Sequence, residues 1–98
     1  MKHFLVDIHY TADADTIQRI RPAHRDFLQT GYDQGLLLMS GPKEPASGGI
    51  AIARANSIEE IRAFFAQDPY ALAQAATHTI TEFLPVKYAP LASPWINE

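Results

Sequence analysis

The sequence predicts an α+β fold of the ferredoxin-like βαββαβ kind, with a four-stranded antiparallel sheet. Three observations carry this. The elements read in the order strand, helix, strand, strand, helix, strand. The two long helical segments each carry a single apolar stripe, Ile17, Ile20, Phe27, Leu28 and Ile58, Ile61, Phe64, Phe65, so each has one face to bury. The middle strands are joined by a short Pro- and Gly-containing turn, the mark of a hairpin. With right-handed crossovers both helices cover one sheet face and leave the other bare. A bare face of that size usually marks an interface, so a homodimer through it is expected.

The elements follow in order. Phe4, Val6, Ile8 and Tyr10 alternate with Leu5, Asp7 and His9, so Lys2 to Tyr10 is a half-buried strand. Asp13 or Asp15 can cap the next helix. Pro22 lies inside that helix and predicts a kink or restart. Gly35 suits its exit. Leu36 to Ser40 is a short apolar strand ended by Gly41-Pro42. Lys43 to Gly48 is the turn, and Gly49 to Ala55 returns. Ser57-Ile58-Glu59-Glu60 is a capping box for the second helix. Asp68-Pro69 interrupts it, and Tyr70 to Ala76 reads as another short helix. Thr77 to Phe83 is a β-rich alternating segment that Pro85 stops or confines to an edge. Residues 1–88 therefore form one domain and 89–98 a tail.

The 98 residues suffice for one thin core, which dimerisation commonly supplements. Apolar content of 47% is that of a folded globular chain. A net charge of −3 with scattered charges points away from nucleic acid and from a basic membrane-binding face. The absence of cysteine excludes disulfides, thiolate nucleophiles and Cys-ligated zinc. No apolar run suits a signal peptide or a bilayer span, so the cytoplasm is the expected location. No phosphate loop, nucleotide fingerprint or serine-nucleophile motif is present.

Two ionisable residues stand where apolar ones belong. His24 continues the stripe of the first helix and Asp68 ends the stripe of the second. Burying a lone charge is costly, so a His and an Asp on the core-facing sides of neighbouring helices are expected to pair.

Arg21-Pro22-Ala23-His24, Leu36 to Pro42 with its Gly41-Pro42 end, Gly48-Gly49 and Asp68-Pro69-Tyr70 together resemble the YCII-related (YciI-like) family. The resemblance runs from about Met1 to Val86. It implies a dimeric α+β barrel, two ferredoxin-like subunits with their sheets facing. It also implies an active site around a His and an Asp, here His24 and Asp68, with lyase- or isomerase-like work on small oxygenated molecules.

On this reading His24 is a general acid or base, because an ordinary histidine pKa of about 6.5 suits proton transfer near neutrality. Asp68 orients it. Arg21, one helical turn before His24, is placed to bind a substrate anion. Ser40, Gly41 and Pro42 are expected to line a pocket, and Tyr70 to donate a hydrogen bond. The plainer readings are a satisfied core histidine, a helix-capping Asp68 and a packed Tyr70, which together would make a non-catalytic dimeric binding or structural module. No metal or other cofactor is expected. His3, Asp7 and His9 share one strand face, but His3 and His9 lie about 20 Å apart at about 3.3 Å per residue. They cannot share one ion, and a metal would need His9 to join another strand's histidine, such as His78.

Overall fold

The computed structural model describes all 98 residues. Its elements are β1 (Lys2–Tyr10), α1 (Ala14–Asp33), β2 (Leu37–Pro42), β3 (Gly48–Ala55), α2 (Ile58–Phe65), the one-turn α3 (Pro69–Leu72) and β4 (Ala76–Phe83). A 3-10 turn (Pro90–Ala92) and a one-turn α4 (Ser93–Ile96) follow. The strands form one sheet in the order β2-β3-β1-β4, every pair antiparallel. This is the ferredoxin-like arrangement the element order predicts.

The core lies between one sheet face and the helices. Phe4, Val6 and Ile8 from β1 and Ala51, Ala53 and Ala55 from β3 meet Ile17, Ile61 and Phe65 from the helices. The small β3 side chains let the helices settle closely on the sheet. Gly31 does the same for α1, since a Cβ there would stand 2.7 Å from the Phe64 ring. The cross-strand register puts Leu5, Asp7, His9, Ile50 and Ile52 on the opposite face, which α1 and α2 leave uncovered and which the tail reaches only at its His3–Arg54 end.

Local chemistry sets the boundaries. Asp13 caps α1 by accepting the Thr16 N–H at 2.8 Å. The helix closes in a Schellman motif: the Gly35 N–H donates to Tyr32 O and the Leu36 N–H to Gly31 O. Gly35 makes the reversal at φ +74°, which a residue without Cβ adopts freely. The Ser57 hydroxyl accepts the Glu60 N–H at 3.2 Å, and the Glu60 carboxylate accepts the Asn56 N–H at 3.0 Å.

Three expectations are corrected. α1 runs unbroken from Ala14 to Asp33 with Pro22 inside it, so there is no restart. The apolar stripe continues on both sides of Pro22 and holds the helix down despite the missing N–H. β2 does not stop before Gly41-Pro42, because those residues pair with Ile50 and Gly49. β2 is an edge strand, and an edge tolerates a proline. α3 is only Pro69–Leu72, because Gln74 turns the chain at φ +54°.

The tail folds back on the start of the sheet. Buried Arg54 donates to Gly35 O at 2.7 Å, to Trp95 O at 2.8 Å and to Glu98 Oε2 at 3.2 Å. Its guanidinium also lies 4.7 Å from the centre of the Trp95 ring. His3 also packs against Trp95, with Nε2 buried and unpartnered. Burial, with the chain's amino terminus and Arg54 nearby, lowers the His3 pKa. No helix is long and apolar enough to cross a membrane.

Candidate active site

Asp68 sits at the junction of α2 and α3, where Pro69 opens the new turn. It is fully buried. Its Oδ1 accepts from the Tyr70 N–H at 3.0 Å, which caps α3, and from His24 Nδ1 at 2.8 Å. Its Oδ2 accepts from His78 Nε2 at 2.8 Å. The helix cap and His24 thus share Oδ1, and a second histidine takes Oδ2.

Burial opposes the charge on Asp68. Hydrogen bonds from His24 and His78, the charge His24 can carry and the Tyr70 N–H outweigh it, so the carboxyl lies below its ordinary pKa. An ionised carboxylate only accepts. His24 therefore carries its hydrogen on Nδ1 and His78 on Nε2 when each ring is neutral. His24 Nε2 is left without a protein partner, as a base.

His24 borders a cavity of about 330 Å³ between α1 and the sheet end where β1, β2 and β3 meet. Arg21, Ser40, Gly41, Pro42 and Tyr70 also line it. All the residues singled out in the sequence thus converge here, with Asp68 behind His24 rather than on the wall. The Tyr70 ring stacks on the His24 ring with centres 4.2 Å apart, which fixes the imidazole plane. Ser40 is tied to the Tyr32 hydroxyl at 2.6 Å. At Gly41 a Cβ would meet nothing within 4 Å, so the wall is open there. At Gly48 a Cβ would stand 1.8 Å from Ile8 O, so only glycine fits.

The phenols of Tyr10 and Tyr70 lie beside Arg21, and the Tyr70 contact above all holds the guanidinium pKa above its ordinary value. The Tyr70 hydroxyl is itself buried and makes no completed hydrogen bond. Its burial pushes the phenol pKa up, so it is a neutral O–H.

Sequence reasoning missed His78, Arg25 and Tyr10 as site residues. His78 lies opposite Ile8 and His9 opposite Thr77, so the two histidines occupy opposite sheet faces. The His9–His78 metal pair is thereby excluded, and no cluster of three metal-ligating side chains has a metal site's geometry.

A search of curated proteins finds no match. Among solved structures, the chain is similar in fold to 5-chloro-2-hydroxyhydroquinone dehydrochlorinase from Burkholderia phenoliruptrix AC1100, solved in complex with 2,5-dihydroxybenzoquinone. The TM-score is 0.73 at 17% identity, over 89% of this chain and 95% of that one. The YCII-related domain matches residues 1–84, so the chain belongs to the YCII-related family.

Proposed function

We propose that the chain is an enzyme that moves protons on a small oxygenated molecule, in an elimination or isomerisation carried by its own side chains. One observation carries this reading: the His24 ring, locked by a buried carboxylate on Nδ1, borders a cavity and has Nε2 free. His24 Nε2 takes a proton from a substrate carbon. The C–H electron pair moves into the substrate, toward a carbonyl oxygen or to expel a leaving group. His24 then gives its proton back to product or solvent. Asp68 stabilises the imidazolium and holds the tautomer. Arg21 binds the substrate's anionic oxygen, Tyr70 supports the ring plane, and Ser40, Gly41 and Pro42 shape the opposite wall. The similar fold of a dehydrochlorinase acting on a small hydroxylated ring supports the reading.

The test is carbon-bound hydrogen exchange in heavy water, with 2,5-dihydroxybenzoquinone and a panel of small enolisable carbonyl compounds as probes. The chain should accelerate exchange for a subset, and His24→Gln should lose about 10²- to 10⁴-fold of it. Undiminished exchange in His24→Gln contradicts the assignment. A structural reading has one observation in its favour, that both Asp68 oxygens are engaged and buried. It predicts no exchange with any probe and a loss of stability in the same variant.

The working assembly in this reading is a homodimer through the open sheet face. Leu5, Ile50 and Ile52 are only half-buried there, and Met39 is 58% exposed. Pairing two such faces would remove this apolar surface from water.

A further inference from the structure

The cavity's charge goes beyond a base and one anchor. Arg21 and Arg25 lie one turn apart on α1 and both line the cavity, flanking His24. Neither forms a salt bridge; Arg21 rests against the Tyr70 and Tyr10 phenols. No aspartate or glutamate lines the cavity, and the nearby carboxylate, Asp68, is fully buried behind two imidazoles. Two guanidinium groups without a carboxylate partner therefore face one cavity in a chain whose net charge is −3. The rest of the lining is mostly apolar or aromatic, with Ile8, Leu28, Pro42, Tyr10 and Tyr70 among it. A cation pair at the rim of an apolar slot suits a flat body with a charged edge.

We infer that the site takes a small planar organic anion, a carboxylate or an ionised hydroxy-carbonyl compound, whose charged oxygens are met jointly by Arg21 and Arg25. This rests on the proposed catalytic site and names its substrate class. The pairing assigns Arg25 a role that its sequence position does not suggest. It also orients the ligand: the charged edge lies along α1 and the flat body points toward β1 and β3, beside His24.

Acid and amide pairs of equal shape test it: benzoate against benzamide, 2-furoate against 2-furamide, cinnamate against cinnamamide. Binding is read by calorimetry or by NMR shifts of the intact chain. At least one acid should bind about 20-fold tighter than its amide, about 5-fold from each partly hydrated charge contact. The preference should shrink as salt rises. Arg21→Gln and Arg25→Gln should each lose about 5-fold of acid binding and leave amide binding unchanged. Arg25 is exposed and Arg21 half-buried on the cavity wall; neither belongs to the apolar core, and far-ultraviolet circular dichroism would confirm the fold. Equal binding of acids and amides overturns the inference. So does an acid preference that survives the double substitution, or no acid binding at millimolar concentration. Hydrogen exchange lost in His24→Gln alongside no acid preference would refute this inference and leave the catalytic reading standing. An acid preference without exchange on any probe would do the reverse.

Discussion

His24 Nδ1 and Asp68 Oδ1 meet at 2.8 Å, across an interval of 44 residues, inside a junction where the carboxylate has no exposed surface. A contact this short to a buried anion fixes the tautomer and the rotation of the ring. The base proposed for the cavity depends on that orientation.

Asp68→Asn keeps the shape and removes the charge. An amide has one accepting oxygen, so it can accept from only one of the two histidines and turns its N–H₂ onto the other. The substitution should lower stability by about 3 kcal/mol, the scale of lost hydrogen bonds to a buried charged group. Urea unfolding checks this. A loss under about 0.5 kcal/mol would mean that the three contacts do not hold the junction.

Stability should fall with acid in two separate ranges. His3 has a lowered folded pKa, so its contribution is intact above the ordinary histidine value and is lost as pH falls through about 6.5. Asp68 has a depressed folded pKa, so its contribution is intact above the ordinary aspartate value and is lost as pH falls below about 3.9. Melting curves against pH should show both slopes. His3→Phe should flatten the upper one and Asp68→Asn the lower. If His3→Phe leaves the upper slope untouched, another group sets it.

Tyr70→Phe deletes a buried hydroxyl that has no completed hydrogen bond. Thermal stability should stay level or rise by up to about 1 kcal/mol, while the ring stack on His24 persists. A loss beyond about 1 kcal/mol would show that the hydroxyl has a partner.

Gly41 on the cavity wall and Gly48 at the start of β3 should behave oppositely. Gly41→Ala enters open space and should change the melting temperature little. Gly48→Ala drives a methyl to 1.8 Å from Ile8 O. It must part β1 from β3 and should cost about 3 kcal/mol or more. Equal effects would contradict the packing at that strand pair.

Light scattering should report a dimer at micromolar concentration, and Ile52→Glu on the open face should convert it to a monomer with the fold retained. A wild-type chain that remains monomeric contradicts the proposed assembly.

The sequence exposed some of this and concealed the rest for definite reasons. His24 and Asp68 were legible because each breaks an apolar stripe at helical spacing, and the βαββαβ order brings the two stripes together. His78 was hidden by its strand. In β4 the inward set is Ala76, His78, Ile80 and Glu82, and the outward set is Thr77, Thr79, Thr81 and Phe83. Neither set is clearly the more apolar, so periodicity alone could not say which way the histidine points. Arg25 was hidden because an exposed helical arginine reads as solvated until the cavity beside it is known. The extension of β2 through Gly41-Pro42 depends on β2 being an edge, a property of the sheet order rather than of the segment. Nothing in the segment Gly49 to Ala55 marks Arg54 for burial; the tail's return with Trp95 accounts for it.

The central claim is that Asp68 holds His24 as the Nδ1–H tautomer, with Nε2 as the free base beside the cavity. Long-range proton–nitrogen NMR of the ring, above the histidine titration, tests it most directly. The account predicts a protonated Nδ1 and an unprotonated Nε2 for His24, reverting to the mixture of a free imidazole in Asp68→Asn. A His24 ring protonated on Nε2 in the unaltered chain would contradict it.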